Sequence, residues 1–271
     1  MSVAPGAGAE AGQVGPRRAR GLEAFRDVMR ADPPEAATPF AEASLDVVYG
    51  DIWTRPGLGR RERRFVTLAC VAAADARRPI ERHVRAALVS GDVSFDEMLE
   101  TVLHFAVYCG WPKASVFEAI VWDQWRQIHE EQGVVPPEPT RLPGPRDYPS
   151  PEARRRGGAR EFVDVNRTPA APPEISPYKT AGILDFVFGE VWQRPGLARR
   201  ERRFLTMACC ALDDAQVPID AHVYAALASG DIGHTEMQEV VLHFAAYYGW
   251  AKAARLAESV RRQQARIEGE A

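Results

Sequence analysis

Apolar residues recur along this chain at helical spacing. Leu45, Val48, Tyr49 and Ile52 fall at i, i+3, i+4 and i+7, which predicts a helix over 39–53 with one buried face. Arg55, Pro56 and Gly57 break it. A second helix starts near Arg60, where a charged first turn leads into an almost wholly apolar body from Phe65, the pattern of a central buried helix. A third carries Ile80 to Leu88 and ends at Gly91, a residue type suited to the left-handed position past a helix end. Ser94 with Glu97 three residues on predicts a capping box. That helix runs to Gly110, and a last one follows Pro112. Strand signals are weak, with few β-branched alternations and no hairpin dipeptides, so the expected fold class is all-α.

The same order then returns. Residues 53–114 align without a gap to 192–253, a shift of 139 (192 − 53), and 40 of the 62 aligned positions are identical. Cores tolerate apolar swaps of similar size, so a shared fold needs far less identity than this. Polar and charged residues are kept as well. The pair of copies therefore acts as an internal alignment. It predicts a tail over 1–20, repeat one over 21–132, a Pro-rich linker over 133–160 and repeat two over 161–271. The basic run 154–160 reads as solvated linker. In repeat two Gly233 replaces Ser94, so the capping box is expected to be lost there.

Composition narrows the function classes. A net charge of −3 gives no nucleic-acid signature. No apolar stretch approaches about 18 residues, so no membrane span is expected. The first residues lack a basic segment followed by an apolar one, so no signal peptide is expected, and their Gly, Ala and Pro content reads as a disordered tail. The four cysteines form no CxxC and no disulfide framework, which points to a reduced cytoplasmic compartment.

Kept polar residues are the candidate chemistry. Glu97, Glu100, His104 and Tyr108 step by three, four and four, hence share one helix face; Glu236, Glu239, His243 and Tyr247 repeat the pattern. Such a stripe lines a cavity, or else the glutamates cap and the His and Tyr make buried hydrogen bonds. Glu100 to His104 is i, i+4, whereas carboxylate-bridged metal sites in bundles use Glu-x-x-His, so no metal site is expected. His83, kept as His222, offers an imidazole for moving protons, or a structural hydrogen bond. The run Arg60, Arg61, Glu62, Arg63, Arg64 is kept as 199–203. Arginines at a helix N-terminus oppose its dipole, so some must pair with distant acids, an anionic ligand or another subunit. Trp53/Trp192, Arg55/Arg194 and Trp111/Trp250 are also kept, as pocket walls, interface or core.

These residues resemble a known family. Trp53-x-Arg55-Pro56-Gly57-Leu58, the Arg-x-x-x-Thr-x-Ala stretch, His83-Val84-x-Ala86-Ala87-Leu88-x-Ser90-Gly91, and Glu97-Met98-x-Glu100 leading to Leu103-His104-x-Ala106-x-Tyr108-x-Gly110 are similar to the carboxymuconolactone decarboxylase family, within the alkylhydroperoxidase D-like superfamily. The resemblance covers about 62 residues in each repeat. It implies two tandem all-helical domains forming an intrachain pseudo-dimer, cofactor-free chemistry, and oligomers with pockets between subunits. A homo-oligomer is therefore expected, a trimer being one such assembly.

Members with thiol or peroxidase activity carry a CxxC before a histidine. Matched to His83, those cysteine positions hold Ala76 and Pro79; matched to His222 they hold Ala215 and Pro218. Both copies lack the dithiol, so the redox branch loses its nucleophile. Cys70 and Cys209 sit in apolar helices and read as inert thiols.

The resemblance thus implies a cofactor-independent decarboxylase-like lyase acting on a carboxylated cyclic or lactone-type anion. Arg64, Arg203 or Arg85 would hold the carboxylate. His83 and His222 would supply the proton, His104/His243 with Tyr108/Tyr247 would polarise the carbonyl, and Glu100/Glu239 would orient that histidine. Trp53, Trp192, Trp111 and Trp250 would wall the substrate. Two readings compete: another cofactor-free reaction (ring opening, dehydration or isomerisation) on a polyketide-like or aromatic-catabolism metabolite, and a non-catalytic binding or scaffold protein. Tyr224 opposite Arg85 and Ala251 opposite Pro112 leave open whether the two pockets are equal.

Overall fold

The computed structural model describes residues 14–140 and 148–270. Helices are the only regular elements among them, and two compact units meet in sequence at Arg55 and Pro56. The expected tail up to residue 13 and the linker segment 141–147 lie outside the described residues.

The first unit holds α1 (Pro16–Met29), α2 (Pro39–Ala43) and a π-helical stretch, Ser44–Trp53. Thr38 caps α2 through Ala41 N–H. The predicted single helix over 39–53 is thus an α-turn passing into wider winding. The reason is close packing: a Cβ on Gly21 would stand 2.2 Å from the Leu45 carbonyl oxygen, so α1 crosses this stretch with backbone in contact. Arg18 and Asp46 pair across the crossing, as do Arg17 and Asp51, while Phe25 meets Tyr49 edge-on at 4.6 Å.

The second unit contains α3 (Arg60–Ala73), α4 (Arg77–Ser90), α5 (Phe95–Cys109), α6 (Trp111–Glu131), α7 (Pro151–Asn166), a second π-helical stretch (Tyr178–Val187), α8 (Arg199–Leu212), α9 (Gln216–Ala228), α10 (His234–Tyr248) and α11 (Trp250–Glu270). α3 and α8, the two helices with apolar bodies, pack on each other. Phe65, Leu68, Phe204 and Met207 on them are fully buried, each such side chain stabilising the fold by about 1.5–3 kcal/mol. The outer helices cross over: α5 of repeat one packs on α8, and α10 of repeat two packs on α3. Within this unit, α3–α6 and α8–α11 share one hydrophobic core.

Local signals landed where the sequence placed them. Ser94 and Glu97 form the reciprocal capping box. In repeat two half of it survives, because Glu236 still accepts from the Gly233 N–H at 2.8 Å. Gly91 takes φ +71°, closing α4.

The basic run 154–160 is not linker. It lies inside α7, where Arg154 pairs with Glu190 and Arg155 with Asp185. Gly158 is buried there because a Cβ would fall 1.8 Å from the Leu184 carbonyl oxygen. Like Gly21 on Leu45, it lets a helix touch the backbone of the π-helical stretch. α1 likewise begins at Pro16, inside the expected tail.

Candidate active site

The crossing of α5 onto α8 brings kept residues of both repeats into one buried cluster. Glu100, His104 and Tyr108 lie on one face of α5, and Arg202, Arg203 and Thr206 lie on α8. Trp192 and Arg194 precede α8, and His222 is on α9. Glu100 accepts from Arg194 Nε at Oε2 (2.9 Å) and from Nη2 at Oε1 (2.6 Å), and Arg202 stands 3.7 Å from Oε2. Arg202 also donates to the Arg194 carbonyl at 2.9 Å and to Nδ1 of His104 at 3.3 Å.

That last contact fixes a tautomer. A guanidinium only donates, so Nδ1 of His104 accepts and its proton sits on Nε2. Nε2 then donates to Thr206 Oγ1 at 2.8 Å. The Thr206 hydroxyl passes the chain on to the Tyr108 phenol, which also accepts from Trp192 Nε1 at 3.0 Å. Burial holds the phenol well above its ordinary range, so Tyr108 keeps its own proton to donate. Glu100 therefore reaches His104 through Arg202, rather than directly as its spacing implied.

His222 faces this chain. Its ring lies 5.9 Å from Tyr108, edge to face, and 6.2 Å from Trp192, nearly parallel. Burial first, and then the charge of Arg203, lower its pKa from 6.5 to about 3. Arg203 spends Nε on Asp231 (2.7 Å) and Nη2 on the Val165 carbonyl (2.8 Å). Nη1 of Arg203 and Nδ1 of His222 are buried without a hydrogen-bond partner among the described residues. Buried polar groups are nearly always paired, because an orphan costs about 1–3 kcal/mol. Arg203 and His222 feel each other electrostatically, so the two orphans belong to one buried neighbourhood.

The second cluster repeats the first with the repeats exchanged. Glu239, His243 and Tyr247 come from α10; Arg63, Arg64 and Thr67 come from α3; His83 comes from α4. Thr67 Oγ1 and His243 Nε2 are 2.8 Å apart, and Arg63 reaches Glu239 at 3.2 Å. Tyr247 lies between His83 (5.4 Å) and His243 (5.0 Å). Burial and then Arg64 lower the pKa of His83 to about 3. Arg64 pairs with Asp92 at 3.0 Å, as Arg203 does with Asp231.

Three candidates stay outside. Arg85 pairs with Glu131 at the surface. Trp111 is 58% exposed, with its ring 5.8 Å from Phe186, and Trp250 is 65% exposed. Trp53 is buried and belongs to the first unit. Glu97 and Glu236 cap their helices and bind Arg61 and Arg200. Among the described residues no three His, Cys, Asp or Glu side chains converge as a metal site requires. Cys70 and Cys209 are buried, and burial raises the Cys70 thiol far above its ordinary range.

Sequence reasoning passed over Thr67 and Thr206, and over Arg63 and Arg202 as distinct from their neighbours. The signal was present: all four are kept, and Thr is an unusual residue to preserve in an otherwise apolar helix body.

The chain matches the carboxymuconolactone decarboxylase family over residues 38–121 and again over 180–261. It is 35% identical over 112 residues to a nitrosuccinic acid decarboxylase of Metarhizium robertsii, covering 38% of this chain and 76% of that protein. It is 31% identical over 88 residues to a 4-carboxymuconolactone decarboxylase of Acinetobacter baylyi, covering 32% of this chain and 62% of that protein.

Proposed function

Since the chain belongs to the carboxymuconolactone decarboxylase family, we propose that it is a decarboxylating carbon–carbon lyase. Its substrate is a small organic acid that carries an electron-withdrawing group near the departing carboxylate. The observation that carries this is the pair of buried, unpartnered atoms Arg203 Nη1 and His222 Nδ1 beside Tyr108.

Each residue then has a task. Arg203 orients the carboxylate through its remaining donor. The bond between that carboxylate and the adjacent carbon breaks and CO2 leaves. The electron pair passes into the withdrawing group, whose oxygen becomes negative. Tyr108 is fixed by Thr206 and Trp192 and holds an O–H for that oxygen. The carbanionic carbon must then take a proton. Burial and Arg203 keep His222 neutral, and a bound anion raises its proton affinity. It collects a proton from water and delivers it to carbon. Arg202 and Glu100 hold His104 in the tautomer that supports Thr206 and hence Tyr108.

The test uses 4-carboxymuconolactone and nitrosuccinic acid as trial substrates, with CO2 release as the readout. The double substitution His83→Ala with His222→Ala is expected to abolish turnover while helical circular dichroism is retained. Undiminished turnover would remove these histidines from the reaction.

A further inference from the structure

The two clusters match in depth but not at their rims. A groove of about 280 Å³ opens on the Glu100–Arg194 ion pair. Leu99 and Leu103 line it, and its remaining wall is the chain itself at Pro139 and Thr140, following repeat one. Two hydrogen bonds hold that segment down. The Thr140 backbone N–H donates to the Asp96 carboxylate at 2.9 Å, and Trp125 Nε1 donates to the Pro137 carbonyl at 3.3 Å. Trp125 is itself stacked flat on Phe95 at 4.4 Å.

The internal alignment isolates these anchors. At a shift of 139, Phe95, Asp96 and Trp125 correspond to His234, Thr235 and Gln264. The residues that build the buried cluster are kept between repeats, and those that seat the strap are not. Arg194, which lines the groove, is held by Glu100 through Nε and Nη2.

We propose that the segment 137–140 is a specificity wall of the first site alone. It confines an organic acid whose second carboxylate, distinct from the departing one held by Arg203, meets Arg194 and whose apolar body lies along Leu99, Leu103 and Pro139, so the two sites select differently sized substrates. The proposal rests on the decarboxylase reading for the identity of the guest, but not for the wall itself.

The experiment transplants the repeat-two residues, Asp96→Thr with Trp125→Gln, to release the strap. Turnover of nitrosuccinic acid and 4-carboxymuconolactone is followed in two backgrounds. One has only the first site working (His83→Ala, His243→Ala); the other has only the second (His104→Ala, His222→Ala). Release should shift KM about two- to tenfold, the weight of one or two hydrogen bonds, with kcat unchanged, in the first background only. A parallel measurement needs no activity: N-ethylmaleimide labelling of Leu103→Cys, read at that residue by peptide mass spectrometry. Release should accelerate it, and should leave the labelling of Leu242→Cys, its repeat-two equivalent, unchanged. Labelling that accelerates at neither position, or equally at both, overturns the wall. Accelerated labelling at residue 103 alone, without turnover of either acid, upholds the wall and sinks the assignment of its guest.

Discussion

Arg202 and His104 belong to different repeats, and the guanidinium of one donates to Nδ1 of the other at 3.3 Å. This contact decides which nitrogen of His104 carries the proton, and so makes Thr206 an acceptor from histidine and a donor to tyrosine. The chain from Glu100 to Tyr108 runs in one direction because its first member after the carboxylate can only donate.

Thr206→Val keeps the shape of the side chain and removes the acceptor for His104 Nε2. The imidazole N–H then keeps only the Arg202 backbone carbonyl, and the loss is that of one hydrogen bond, about 0.5–1.5 kcal/mol. Urea denaturation should place the variant below the parent by that amount, and Thr67→Val should behave alike, since Thr67 meets His243 at the same 2.8 Å. A midpoint unchanged in both variants would mean that water replaces the hydroxyl at no cost.

Glu100→Gln removes the charge that faces both Arg194 and the fully buried Arg202. Stripping one partner from a buried pair costs about 3–5 kcal/mol, because the remaining charge is left uncompensated. Glu131→Gln, at the exposed pair with Arg85, should cost under about 1 kcal/mol. Equilibrium unfolding of the two variants side by side tests the contrast, and equal losses would contradict the burial assigned to Glu100.

How far the sequence reached can be seen in these same residues. Helix order, the Ser94 cap and the Gly91 stop were legible because each depends on neighbours a few positions away. His83, His104 and their copies were legible as kept polar residues in apolar helices. Their partnership was not, because His104 meets Thr206 and His222, residues more than a hundred positions on, through a crossing of α5 over α8 that no local spacing encodes. Gly158 misled for the opposite reason. Its composition fits a linker, while its role is to let α7 touch the Leu184 carbonyl, a contact visible only when both segments are in place.

Gly158→Ala should therefore be destabilising despite raising helix propensity. The added Cβ would fall 1.8 Å from the Leu184 carbonyl oxygen, which is backbone and cannot swing away. Overpacking of this kind costs about 1–3 kcal/mol. Gly269→Ala, also helical but with nothing within 4 Å of the new Cβ, should be neutral or slightly stabilising. Thermal unfolding followed by circular dichroism separates them, and a Gly158→Ala protein melting with or above the parent would refute the close contact.

The buried histidines make stability depend on pH with a definite sign. His83 and His222 have pKa values lowered from 6.5 to about 3, chiefly by burial, and His104 and His243 lie well below 6.5 for the same reason. The unfolded chain binds protons on these rings near pH 6.5, whereas the folded chain resists them. Unfolding therefore takes up protons, and stability rises with pH across this interval. The contribution is fully present above pH 6.5 and is lost progressively as pH falls from there toward about 3. Urea midpoints should decline between pH 7 and pH 4.5. Carboxylates with lowered values, such as Asp92 and Asp231, add to the decline only nearer pH 4, where unfolded carboxyls begin to protonate. The range from pH 6.5 to 5 thus belongs to the histidines. In His83→Gln with His222→Gln the slope over that range should become shallower, because two of the four titrating rings are gone. An unaltered slope would mean that the two rings protonate in the folded protein as readily as in the unfolded one, and their desolvation would have to be abandoned.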